Sequence, residues 1–169
     1  MGLRRPRPSL SPAARRDPAA ARAAAVGWLA RRDYARGELA AKLRSGGFEE
    51  DTARQVLADL LSEGVLDDER YAHSYVAHHA ARGQGPVRIA LELKAVGVCA
   101  ALIESALRAG PDWVALARKA RSARFGAPAP ASWPERARQA RFLQYRGFSA
   151  DHIRAATGAD PETGPEDLE

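Results

Sequence analysis

A single cysteine, Cys99, stands in 169 residues. It excludes an intramolecular disulfide and any metal site built from several cysteines, and it fits a reducing cytoplasm. No stretch approaches the roughly 18 consecutive apolar residues of a membrane span, so the chain reads as soluble. Its start, Met1-Gly2-Leu3-Arg4-Arg5-Pro6, lacks the apolar stretch of a secretory signal. β-branched residues are scarce and nothing alternates apolar and polar over strand length, which leaves an all-α chain. Lysine is nearly absent, 3 residues against 23 arginines.

Catalytic pairings are missing as well. His73, His78 and His79 fall on one predicted helix, but the 73-to-78 spacing puts them on different faces and no HExxH pattern accompanies them. Asp67-Asp68-Glu69 lacks the spacing of a calcium loop and reads as helix capping. The turn Gly83-Gln84-Gly85-Pro86 has neither a phosphate-binding lysine nor a preceding strand. Cys99, beside Val98 and Leu102, reads as a small core residue. No nucleophile stands next to a base. The expectation is a protein that is not an enzyme, with no metal and no cofactor.

What is present is a repeat. Gly47, Gly97 and Gly147 are spaced by fifty residues and close the same pattern: Leu43-x-x-x-Gly47-Phe48, Leu93-x-x-x-Gly97-Val98 and Leu143-x-x-x-Gly147-Phe148. Glycine at C′ takes the left-handed conformation that ends a helix, and the residues four before and one after it then touch. Leu39 and Ile89 precede the first two stops at equivalent positions; the third copy has Gln139 there and has drifted. Apolar residues at helical spacing follow each stop: Ala53, Val56 and Leu57; Ile103, Ala106 and Leu107; Ile153 and Ala156. Units this short bury little alone and need stacked neighbours.

The spacing predicts nine helices, over 19–32, 36–45, 50–62, 68–82, 86–95, 100–109, 112–124, 134–145 and 150–156. Pro86 and Pro111 fall where helices should begin. Trp28, Trp113 and Trp133, near helix ends, read as core anchors. The domain reading is a disordered Pro/Arg-rich arm over 1–22 and three-helix repeats over 23–65, 66–110 and 111–157. A disordered acidic tail over 158–169 follows. These repeats are expected to stack as a tandem, elongated solenoid.

Charge is distributed unevenly. The arm carries six arginines against one aspartate, and the first two repeats are nearly neutral. The third holds nine basic residues against three acidic, and the tail has five acids and no base. A basic unit attracts polyanions, largely through counterion release. Arg118, Lys119, Arg121 and Arg124 crowd one helix; Arg138 and Arg141 share a face of the next with Phe142 and Tyr145. Those aromatics serve either as stacking platforms for bases or as core packing.

These residues resemble a known family. Leu66-Asp67-Asp68-Glu69-Arg70-Tyr71-Ala72, followed by Tyr75-Val76, is similar to the hallmark of the RecX regulatory proteins. Tyr34-Ala35-Arg36-Gly37-Glu38-Leu39 resembles the family's first repeat, Arg82-x-x-Gly85-Pro86-x-x-Ile89 its second, and Phe142-Leu143-Gln144-Tyr145-Arg146-Gly147-Phe148 its third. The likeness covers about residues 23–157. It implies a curved array of three-helix repeats, likened to a monomer in the cytoplasm, that lies in the groove of RecA filaments on single-stranded DNA. Such proteins restrain RecA's ATP hydrolysis, strand exchange and filament extension, and so temper recombination, DNA repair and the SOS response. On this reading Arg82, Arg88, Arg118, Lys119, Arg121, Arg124, Arg138, Arg141 and Tyr145 contact RecA or DNA.

The rival is a helix-turn-helix transcription regulator, with Leu39 to Leu57 as its DNA-reading element. A recognition helix should start with residues that approach DNA, and here Glu49, Glu50 and Asp51 stand at that end.

Overall fold

Each repeat glycine ends a helix as its spacing predicts. In the computed structural model, which describes residues 10–158, Gly47, Gly97 and Gly147 have φ of 97°, 87° and 89°. The Phe48 N–H donates to the Leu43 carbonyl at 3.2 Å, Val98 to Leu93 at 3.1 Å and Phe148 to Leu143 at 3.1 Å. Each glycine N–H donates to the residue three before it, completing a Schellman cap in every repeat. The same pair of bonds closes two further helices, at Gly64 and at Gly83, which the fifty-residue pattern did not pick out.

The described residues form ten helices and no strand: α1 (Pro12–Arg15), α2 (Pro18–Leu29), α3 (Arg36–Ser45), α4 (Glu50–Ser62), α5 (Asp68–Ala81), α6 (Pro86–Ala95), α7 (Ala100–Arg108), α8 (Trp113–Phe125), α9 (Trp133–Arg146) and α10 (Ala150–Thr157). The chain divides into two compact units, one up to Tyr71 and the other from Ala72.

In the first unit α2 lies against α3 and α4. Ala21 and Ala25 pack with Leu39, Leu43, Val56, Leu57 and Leu60, and Trp28 and Phe48 border the cluster. Each of these leucines, at 4% exposure or less, contributes about 1.5–3 kcal/mol of burial. The hallmark residues join this unit's ends. Asp67 Oδ1 accepts the Arg70 N–H at 2.9 Å and caps α5. Asp68 Oδ1 accepts the Arg36 N–H at 2.7 Å, so it caps α3, whose own N-cap Ala35 has no side-chain acceptor. Arg70 reaches Asp67 at 3.5 Å and the Val65 carbonyl at 3.3 Å. Tyr71 is buried, and that burial first, with Glu38 nearby, raises its hydroxyl pKa.

The arm read as disordered over 1–22 is corrected for its described part. Ser11 caps α1 and Asp17 caps α2, with Pro12 and Pro18 at the first helical position, where proline's missing N–H costs nothing. The Glu49 N–H donates to the Arg15 carbonyl at 3.0 Å, Arg16 pairs with Glu49 and Arg22 with Glu63. Residues 1–9 and 159–169, including nearly all of the tail, lie outside the described residues.

In the second unit α8 packs against α9 and α10 over Ala117, Ala140, Leu143, Phe148 and Ile153. Gln139, the drifted position, is 4% exposed and accepts from Arg121 Nη1 at 3.3 Å. Arg121 itself is 8% exposed; Nη1 also donates to the carbonyl of Pro128 at 2.9 Å, and Nη2 donates to that of Ala127 at 3.1 Å. One polar pair therefore occupies the level that Leu39 and Ile89 fill in their repeats. The turn before α6 docks on the stop of α9. The Gly85 N–H donates to the Arg146 carbonyl at 2.8 Å and Val87 to Gly147 at 3.0 Å. A β-carbon on Gly85 would lie 2.3 Å from the Gly147 carbonyl, so only glycine fits.

Three smaller expectations are corrected. Cys99 is exposed at the N-cap of α7, while its neighbour Val98 turns inward. Pro111 precedes the Asp112 cap of α8 and so lies outside that helix. Trp28, Trp113 and Trp133 are only half-buried.

Candidate nucleic-acid interface

Arginine is abundant in both units, but its partners are not. In the first unit Arg16, Arg22, Arg32, Arg44, Arg54 and Arg70 all pair with carboxylates. In the second, the arginine–carboxylate pairs among the described residues are Arg88 with Glu92 and Arg154 with Asp151, both at 2.9 Å. Asp112, one of the three acids of the third repeat, is spent on capping α8, where it accepts the N–H groups of Val114 and Ala115. Glu135 accepts the Ala131 N–H. Among the described residues, no cation of α8 or α9 has a carboxylate within 4.0 Å.

Three of them converge with Arg82. Arg82, Lys119, Arg124 and Arg146 line a cleft of about 330 Å³ together with Leu116 and Phe142. Arg82 comes from the turn just after α5, Lys119 and Arg124 from α8, and Arg146 from the last turn of α9. The α5 turn is held in place by the Gly85–Gly147 docking, and Arg146 Nη1 donates to the Arg82 carbonyl at 3.3 Å. Arg146 also lies 5.3 Å from the centre of the Phe142 ring, which meets Phe125 edge-on at 5.3 Å. Arg138 sits 5.4 Å from the Phe125 ring. None of the four lining cations has a carboxylate within 4.0 Å among the described residues. Like charges gathered this way around a partly apolar cleft give a focused positive potential that suits an anion.

The predicted contact residues separate into three groups. Arg118, Lys119, Arg124, Arg138, Arg141 and Arg82 are exposed, and so is Tyr145 at 79%. Arg118 Nε and Nη2 both donate to the Ala155 carbonyl at 3.3 Å, which leaves Nη1 outward. Arg88 is already held: its Nε donates to Glu92, whose other oxygen accepts from Tyr75 at 2.9 Å. Burial works against the Glu92 charge, yet these bonds from Arg88 and Tyr75 bring its pKa below the usual carboxylate range. Arg121 is corrected from a surface contact to an internal clamp, because its guanidinium is buried against the 126–131 loop. Phe142 is half-buried against the core of α8–α10, while Tyr145 is free to stack. Arg146 was not singled out; its position four residues after Phe142, at the turn toward Gly147, was the available signal.

At the rival's reading element, the Glu49 and Glu50 carboxylates at the start of α4 are paired with Arg16 and Arg44. No described helix is long and apolar enough to cross a membrane, and no described group of three or more His, Cys, Asp or Glu residues could hold a metal ion.

The family models for RecX match this chain in sequence order. The first three-helix domain matches residues 21–60, the second 67–107 and the third 112–157. The regulatory protein RecX of Halorhodospira halophila is 49% identical over 150 residues, 86% of this chain and 93% of that protein. Its counterpart in Pseudomonas savastanoi pv. phaseolicola is 42% identical over 80% of this chain and 88% of its own length. The crystal structure of RecX from Lactobacillus salivarius superposes with a TM-score of 0.72 at 25% identity, covering 82% of this chain and 93% of that one.

Proposed function

Because the chain belongs to the RecX family of regulatory proteins, we propose that it binds RecA filaments formed on single-stranded DNA. It lies in the filament groove and inhibits ATP hydrolysis, strand exchange and filament extension. The protein thereby modulates recombination, DNA repair and the SOS response in the cytoplasm, as a monomer without a cofactor or a reaction of its own.

The observation that supports this reading beyond family membership is the uncompensated charge of the third repeat. Arg82, Lys119, Arg124 and Arg146 around the cleft, with Arg118, Arg138, Arg141 and Tyr145 on the surface, supply the contacts to phosphates or to acidic groups of RecA. Guanidinium groups with no local carboxylate keep their donors for an incoming oxyanion, and each bond so formed is of the stronger, charge-assisted kind. Several modest contacts along a repetitive filament add through avidity. A module bridging neighbouring protomers opposes the rearrangements that hydrolysis and strand exchange require.

The test is RecA's single-stranded-DNA-dependent ATPase with this protein titrated in. Suppression at far less than one copy per RecA is the expected result. An unchanged ATPase, with tight binding to naked duplex instead, would transfer the family's regulatory role here to a DNA-binding regulator.

A further inference from the structure

The lining of the cationic cleft has two chemically different parts. One is apolar: Leu116, Ala120 and Ala123 from α8, and the Phe142 ring from α9. Leu116, Ala120 and Phe142 pack against the buried core of α8–α10, which holds them in place. The other is the set of four cations. Phosphates alone have no use for the apolar part, which only an apolar body can cover and so remove from water. The cleft measures about 330 Å³, the small end of the about 300–1,000 Å³ of ligand sites. That suits one flat group rather than a stack of them.

The polar side chains of the lining share one property. Arg82, Lys119, Arg124 and Arg146 all donate hydrogen bonds, and none of them accepts. A peptide brings a backbone N–H at nearly every residue and needs acceptors to match, which these side chains do not offer. The backbone of a DNA strand brings acceptors only, its phosphate and sugar oxygens, because the donating 2′-hydroxyl belongs to RNA. A duplex keeps its bases stacked inside and would lay charged groups over Phe142 and Leu116. A single strand can turn a base out onto an aromatic surface, with its phosphates on flanking cations.

We propose that this cleft takes one unstacked base of single-stranded DNA, laid against Phe142 and Leu116, with the neighbouring phosphates on Arg82, Lys119, Arg124 and Arg146. The proposal rests on the reading of the cleft as a polyanion site and names the polyanion. Arg146, 5.3 Å from the centre of the Phe142 ring, links the two parts of the lining. Capture of this kind tolerates any sequence, because every base has a π-face. It distinguishes a single strand from a duplex, which charge alone does not do in that direction: the duplex has the denser phosphates.

The experiment titrates the full chain against three fluorescein-labelled probes of equal length at physiological salt: oligothymidylate, a strand with abasic sugars in place of its bases, and a duplex. Oligothymidylate should bind about tenfold more tightly than the abasic strand, as one base–aromatic stack implies, and more tightly than the duplex. Because the native protein is used, this comparison does not depend on any variant folding. Phe142→Leu keeps the apolar surface and removes the ring. It should narrow the gap between oligothymidylate and the abasic strand while leaving abasic binding unchanged. Equal affinity for those two strands, both weakened by Arg82→Glu with Arg124→Glu, overturns base capture and leaves the polyanion reading standing. A duplex bound as tightly as oligothymidylate also overturns base capture. Displacement of oligothymidylate by polyglutamate at equal charge would overturn it too and assign the cleft to an acidic protein segment. No binding of any probe overturns the polyanion reading and the proposal together.

Discussion

Replacing Gly85 with alanine isolates the joint between the turn before α6 and the stop of α9. Gly85 has φ of −86° and ψ of 163°, a conformation alanine adopts freely, so backbone strain plays no part. The added β-carbon would lie 2.3 Å from the carbonyl carbon and oxygen of Gly147 and 2.4 Å from the Phe148 nitrogen. All three are backbone atoms of a capped helix end and cannot swing aside as a side chain would. Restoring ordinary contact separates the two turns by about 1 Å, which stretches the 2.8 Å bond from Gly85 to Arg146 and the 3.0 Å bond from Val87 to Gly147 past hydrogen-bonding range. Losing two such bonds from a partly buried seam costs about 1–3 kcal/mol each. Alanine's lower entropy in the unfolded chain returns about 0.4–1 kcal/mol. The net expectation is a loss of about 1–5.5 kcal/mol, read by urea unfolding followed by circular dichroism, with faster exchange of the Val87 amide. Gly47→Ala is the control, because it adds only left-handed strain of about 1–2 kcal/mol against a Leu10 side chain at an ordinary 3.4 Å. If Gly85→Ala is no more damaging than Gly47→Ala and Val87 stays protected, the close-approach argument fails.

Further predictions concern single interactions. Arg121→Met strands the buried Gln139 amide and should cost about 1–3 kcal/mol, whereas Arg121→Met with Gln139→Leu should recover most of it. Equal instability of the single and double variants in thermal unfolding would mean the two residues are not coupled. Asp68→Ala removes the cap on the Arg36 N–H and should cost about 1 kcal/mol, with faster amide exchange confined to the first turn of α3; exchange unaltered there refutes the capping role. Stability should also depend on pH through His152. Its burial first lowers its pKa, against Asp151 and Asp112, and its Nδ1 accepts from Ser149 in the capping box of α10. The unfolded state then binds the extra proton more readily, so the contribution is complete above the ordinary histidine pKa of about 6.5. It is lost as pH falls through and below that value, and His152→Gln should flatten the slope of stability against pH in that window.

How much could be read from sequence follows from the range of each interaction. The repeat stops were legible because a Schellman cap is written in six consecutive residues, Leu43 to Phe48 and its two copies. The caps of α1 and α2 were equally local, Ser11 before Pro12 and Asp17 before Pro18, but four prolines in eighteen residues read as disorder. Gly85 looked like a loop glycine because the backbone that demands it lies about sixty residues away at Gly147. The remote cap from Asp68 to Arg36 and the clamp of Arg121 on Gln139 are long-range for the same reason. For the candidate interface, the excess of positive charge in the third repeat was plain. Which cations keep their charge uncompensated was not: Arg88 has Glu92 four residues on, but Arg121 differs from Arg124 only in neighbours brought by folding.

The central claim is that the unpaired cations of the cleft hold the protein on its filament. Its most direct test is equilibrium binding of the intact chain to RecA assembled on single-stranded DNA, alongside a variant with Arg82→Glu, Arg124→Glu and Arg146→Glu, across a range of salt. The account predicts at least about a tenfold loss of affinity for the variant. It also predicts a salt dependence flatter by about 0.7 in log–log slope for each phosphate contact removed, with the helical content unchanged. Equal affinity and equal slope for the two proteins would contradict it.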